Sequence, residues 1–156
     1  MSAWDVSRTT NHNSLFRDCE VFNQDVSSWD VSSVTSMKQM FLGASLFNQP
    51  LNMWSMNTVV DLSNMFEQAA SFDQPLHDWV VSSVTSADEM FFGGAAFEQD
   101  ISGWDFSSLQ TCSDFGHPGC NPTKLVELGC VDTCCPTQVT LSRIIQYQYV
   151  YIYIYT

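Results

Sequence analysis

Apolar and polar positions in this chain repeat every 25 residues. Trp4, Trp29, Trp54, Trp79 and Trp104 keep that period, and so do Phe22, Phe47, Phe72 and Phe97. Gln24, Gln49, Gln74 and Gln99 follow it too, as do Val26, Leu51, Leu76 and Ile101. The pairs Met40-Phe41, Met65-Phe66 and Met90-Phe91 complete the core set, with Leu15-Phe16 as a weaker first copy. Within one repeat, Phe22, Gln24 and Val26 alternate with Asn23, Asp25 and Ser27, which predicts a short strand. The chain then bends around Ser27-Ser28, and Trp29 and Val31 resume an inward alternation. From Val34 the spacing changes, because Val34, Met37, Phe41 and Ala44 fall at helical intervals. Ser36 with Gln39 and Ser86 with Glu89 have the form of a capping box, and Asp61 suits a helix N-cap. Gly43 and Gly93-Gly94 suit helix exits.

A unit of 25 residues cannot bury its apolar side alone, but stacked copies can. The expectation is an α/β repeat: a leucine-rich-repeat-like, right-handed solenoid of about five repeats over residues 1–115. Each repeat would give one short strand to a parallel sheet and carry one short helix, with the usual crossover hand. Stacking sets equivalent positions about 4.8 Å apart, so Trp29, Trp54, Trp79 and Trp104 form one column. The parity of Gln24, Gln49, Gln74 and Gln99 turns them inward, where each amide is expected to bond the copies above and below it. The outward columns vary: Asn23, Asn48, Asp73 and Glu98 in one, Asp25, Pro50, Pro75 and Asp100 in the next. Constancy inside with variation outside is the pattern of an interaction scaffold, so these eight residues are the candidate contact surface.

The unit FNQ[DP]-hydrophobic-xxW-x-[VM]-xxVT-xx-MFxxA resembles the BspA-like leucine-rich repeat surface proteins, a repeat family of unknown function abundant in mycoplasmas and some marine algae. The resemblance covers about residues 1–115. It implies a repeat solenoid in a secreted or cell-surface setting, with roles in adhesion or partner binding and no catalytic residues. The first copy departs from the pattern, with Thr9 where Val34 sits and His12 where Met37 sits.

Composition narrows the partners. The formal net charge is -12, with Lys and Arg scarce. Nucleic acid and anionic membranes, which recruit basic residues, are therefore excluded as partners. No run is long enough to cross a bilayer, and no basic stretch followed by an apolar run marks a secretion signal.

The period stops after Phe115. Residues 116–156 form a non-repeat tail with Cys120, Cys130, Cys134 and Cys135, ending in alternating Tyr and Ile from Tyr147. Two readings stand for it: a cysteine-stabilised cap over the last repeat, or intron or frameshifted sequence in the gene model. With His117 these cysteines fit no paired CxxC spacing, so disulfides are preferred and no metal is assigned. Asp5, Asp30 and Asp105 follow their tryptophans, but Ser55 and Val80 interrupt that column and no calcium-loop motif is present. His12, His77 and His117 are the only candidate imidazole bases, and no nucleophile elbow, HExxH or phosphate loop accompanies them.

The sequence therefore predicts a non-enzymatic module without cofactors that binds a protein or glycan partner through its exposed strand face. A structural segment of a longer repeat adhesin and a calcium-binding repeat module are the alternative readings.

Overall fold

The computed structural model describes residues 4–101 and 103–115. The chain winds into stacked 25-residue coils: coil 1 spans 4–21, coil 2 22–46, coil 3 47–71, coil 4 72–96 and coil 5 97–115. Successive copies meet in register through hydrogen bonds between residues 24 to 28 apart.

None of the described residues is helical. Their only β pairing is a file of isolated parallel bridges, Asn11 to Ser36 to Asp61 to Ser86 to Thr111. The expected leucine-rich-repeat-like α/β architecture, with a strand and a helix in every repeat, is thus overturned.

The reason lies in the backbone of the supposed helix. Ser14, Gln39, Asn64, Glu89 and Asp114 hold positive φ at equivalent places in successive coils. Four residues further on, Asp18, Gly43, Gln68 and Gly93 do the same. A left-handed residue cannot sit inside a right-handed helix, and two per coil leave no room for one. The segment instead becomes a ribbon of linked turns. Amides of Met40, Leu42 and Ala44 donate three residues back, to the carbonyls of Met37, Gln39 and Phe41. The alternate amides of Met37, Gln39, Phe41 and Gly43 donate to the next coil, at Asp61, Ser63, Met65 and Glu67, over 2.8–3.0 Å. Turns of this kind bring residues three and four apart to one side, as a helix does, so the apolar spacing at 37, 40, 41 and 44 serves either structure.

A second ladder runs the opposite way, with Thr35 N–H on the Thr10 carbonyl, Val60 on Thr35, Thr85 on Val60 and Gln110 on Thr85, each at 2.8 Å. The expected strand at Phe22–Val26 does not pair through its backbone, and Pro50 and Pro75 have no N–H to give there.

Inside the coils lie files of rings. Phe16, Phe41, Phe66 and Phe91 stack at 5.5–5.7 Å, and Phe22, Phe47, Phe72 and Phe97 at 5.7–6.0 Å. The two files touch within each coil boundary, as between Phe41 and Phe47 at 4.0 Å. Parallel, offset rings at these separations are a favourable aromatic arrangement. Trp29, Trp54, Trp79 and Trp104 are buried beside them. The indole N–H groups of Trp54, Trp79 and Trp104 reach the carbonyls of Val26, Leu51 and Leu76 at 3.2, 2.9 and 2.9 Å. These three tryptophans therefore satisfy their polar atoms on the preceding coil while their rings pack, whereas the buried Trp29 Nε1 has no hydrogen-bond partner among the described residues.

Candidate interaction surface

The column read from sequence as variable and outward is in part a set of clamps. Asn23 Oδ1 accepts the Asn48 N–H at 3.0 Å and the Gln49 side-chain amide at 2.9 Å. Asn48 Oδ1 does the same for Asp73 and Gln74, at 3.1 and 2.9 Å. Asp73 Oδ1 serves Glu98 and Gln99, at 3.0 and 2.8 Å. The glutamines do not bond one another, contrary to the stacked-amide expectation; Gln49, Gln74 and Gln99 each bond the Asn or Asp of the coil before. Asn and Asp share this position because both offer an Oδ1 acceptor at the same reach. That common acceptor was the signal available in the sequence, and reading the column only as variable concealed it.

Asp25, Pro50, Pro75, Glu98 and Asp100 are exposed, and Asn48 and Asp73 are half-buried. Asp25 is occupied locally, its Oδ1 accepting the Ser27 N–H at 2.9 Å. Asp5, Asp30 and Asp105 make the same turn with Ser7, Ser32 and Ser107. Hydrogen bonds from the side chains, then the backbones, of Ser7, Ser27 and Ser32 hold the Asp5, Asp25 and Asp30 carboxyls below the ordinary range. These aspartates are thus charged turn residues at the surface. Among the described residues no group of three or more His, Cys, Asp or Glu is placed to hold a metal ion.

Charge is graded along the stack. Arg8, Arg17 and Lys38 lie in coils 1 and 2, and no Lys or Arg occurs between 39 and 115. Arg17 bonds Asp18 at 3.3 Å and Gln39 Oε1 at 3.1 Å on the ribbon side. Further along that side Glu89 is pushed above the usual carboxyl range by burial and then by Glu67, Asp114 and Asp88. Burial also works against the charge of Asp88, but hydrogen bonds from Thr111, Ser113 and Ser86 outweigh it and leave its carboxyl below the usual range.

The histidines part company. His77 is exposed beside Asp78 at 3.6 Å. His12 is 3% exposed and takes the place of Met37 in coil 1. The Thr9 hydroxyl donates to the Val6 carbonyl at 2.6 Å, so its 2.7 Å contact with His12 Nε2 is accepted from the ring. His12 is therefore the neutral Nε2–H tautomer, and its buried Nδ1 has no hydrogen-bond partner. The Thr9 and His12 departures from the repeat are one compensated pair.

Two openings indent the surface. A cavity of about 310 Å³ on the bends is lined by Asn52, Met53, Trp54, Asp78 and Val80, with Met53 84% exposed. A cavity of about 640 Å³ lies at the coil 1 edge, lined by Phe16, Asp18, Cys19, Glu20, Val21 and Phe22. The tail sites Cys120, Cys130, Cys134, Cys135 and His117 lie outside the described residues. No helix among the described residues is long and apolar enough to cross a membrane.

No curated protein and no solved structure matches this chain. The family model described as Mycoplasma protein of unknown function, DUF285, matches residues 1–104, which hold every tryptophan of the period, and the chain belongs to that family.

Proposed function

We propose that the chain is a non-catalytic interaction module that presents a varied polar surface to a protein or glycan partner on a repeated core. The observation that carries this is the contrast between columns in one stack. The buried phenylalanine and tryptophan files keep one residue class from coil to coil, whereas the exposed file Ser28, Met53, Asp78 and Gly103 changes chemistry at each step. Packing requires the first; nothing in packing requires the second. Resemblance to BspA-like surface proteins supports the same reading and adds a cell-surface setting.

The contact surface is the exposed edge formed by Asp25, Pro50, Pro75, Glu98 and Asp100, with Met53 and Val80 on the neighbouring bends. With no Lys or Arg beyond residue 38 in the coils, this edge favours cationic or neutral partners. The test is biolayer interferometry of the full chain against immobilised cationic peptides and a neutral glycan panel. The variant Asp25→Lys/Asp100→Lys is expected to lose about tenfold in affinity, some 1.4 kcal/mol, while its melting temperature stays within a few degrees. Unchanged affinity in that variant would remove this edge from the interaction.

A further inference from the structure

Two bends carry apolar side chains where the repeat carries polar ones. Met53 stands in the file of Ser28, Asp78 and Gly103, and Val80 in the file of Asp5, Asp30, Ser55 and Asp105. Neither serves the core, because Met53 is 84% and Val80 53% exposed. Val80 also gives up the Asp turn that closes on a serine in coils 1, 2 and 5. Asp78 joins them, and the three line the 310 Å³ cavity with Asn52 and the buried Trp54.

Asp78 is held by Asn52 of the coil before. Asn52 Oδ1 accepts the Asp78 N–H at 3.1 Å, and Asn52 Nδ2 donates to Asp78 Oδ2. Among the described residues the other oxygen, Oδ1, meets only His77 Nε2, at 3.6 Å, beyond hydrogen-bond reach. The Asn-Asp pair belongs to this boundary alone: the equivalent positions are Ser27 with Met53 one coil earlier and His77 with Gly103 one coil later. The carboxylate is thus oriented through one oxygen and open at the other, in a notch with two exposed apolar walls.

We infer that this notch binds a lysine side chain of a partner protein. The methylenes lie along Met53 and Val80, as long cationic side chains cover apolar surface with their stems, and the ammonium donates to Asp78 Oδ1. Charge complementarity selects a cation, since no Lys or Arg occurs between 39 and 115 to compete for the carboxylate. One open oxygen suits a point charge, whereas a guanidinium gains its advantage from bonding two oxygens at once. The inference rests on the proposed contact surface and names an anchor within it.

The probe is acetyl-lysine N-methylamide, titrated into the full chain and followed by NMR of the Met53 methyl and the Asp78 amide. Saturable shifts at both are expected, with a dissociation constant of about 1 mM, as a ligand of this size permits. The norleucine analogue, which keeps the stem without the charge, is expected to give no saturable shift, and the arginine analogue to bind severalfold more weakly. Asp78→Asn keeps an oxygen for Asn52 and is expected to abolish binding at an unchanged melting temperature; Met53→Ser, the coil 2 residue, is expected to weaken it severalfold. Asp25→Lys/Asp100→Lys is expected to bind the probe as the parent chain does, so loss of the outer edge and loss of this anchor are read separately. Absence of saturable shifts, equal binding of the norleucine or arginine analogue, or binding unchanged by Asp78→Asn overturns the inference.

Discussion

The side-chain amide of Gln49 donates to Asn23 Oδ1 at 2.9 Å, and the same oxygen receives the N–H of Asn48. One side chain thus joins two coils where backbone pairing is interrupted by prolines. The recurrence of this joint with Asn48 and Asp73 makes its requirement testable.

Asn48→Asp keeps the acceptor and is expected to change stability by less than about 0.5 kcal/mol, since Asp73 already fills the role. Asn48→Leu removes it and leaves the Asp73 N–H and the Gln74 amide without partners at a half-buried site. A loss of about 1–3 kcal/mol is expected, read from urea unfolding followed by tryptophan fluorescence. Equal stabilities for the two variants would show that the joint contributes only shape.

The ribbon of turns makes a prediction opposite in sign to that of a helix. Gln68 holds a φ of 56° and is exposed; its N–H donates to the Phe92 carbonyl at 2.8 Å, and its side-chain amide reaches only Glu67, at 3.5 Å. Gln68→Gly is expected to stabilise the chain by up to about 1 kcal/mol, because glycine adopts that conformation without a Cβ penalty. In a helix the same change would cost about 1 kcal/mol. Gly43→Ala is expected to destabilise, since its φ is 68° and a Cβ there would lie 2.7 Å from Asp18 Oδ1. Urea midpoints of the two variants moving in the same direction would contradict this backbone.

His12 ties stability to pH. Burial holds its pKa below the ordinary 6.5. Between that value and the lower folded value the unfolded chain binds a proton that the folded chain does not, so stability rises with pH across this window. The contribution is fully present above about pH 6.5 and is lost as pH falls through the window. The double variant Thr9→Val/His12→Met, which installs the residues of coil 2, is expected to flatten the melting temperature between pH 6.5 and 5.5. A slope identical to that of the parent chain would place the titration elsewhere.

Much of this was legible in the sequence, and the part that was not has a definite cause. The period, the aromatic files and the buried tryptophans followed from residue identity alone, since only stacking puts Phe22, Phe47, Phe72 and Phe97 to use together. The helix did not follow. Val34, Met37, Phe41 and Ala44 have helical spacing, but the amides of Val34 and Ala44 turn back along the coil while those of Met37 and Phe41 reach the next one. Gly43 and Gly93 hinted at left-handed backbone. Gln39, Gln68 and Glu89 gave no such hint, because neighbouring coils rather than local preference hold them there. Ser36, read as a cap, is a bridge residue, and Asp61 closes a two-residue turn on Ser63. At the candidate surface, Asp25 and Asp100 were legible as exposed, whereas the clamping by Asn23, Asn48 and Asp73 required a register that only the folded chain provides.

That register also governs how a gene for such a chain can change in length. Because each coil meets the next through the same atoms, excising residues 47–71 would bring the Asp73 N–H to Asn23 Oδ1, where the Asn48 N–H sits now. Phe72 would likewise settle on Phe22. Loss of one residue inside a coil would instead displace every later column against its neighbour. Gain or loss of a whole unit would therefore lengthen or shorten the molecule in steps of one coil, while a one-residue slip inside a unit would break every contact beyond it. Size becomes a quantised trait, adjustable without redesign of the interior.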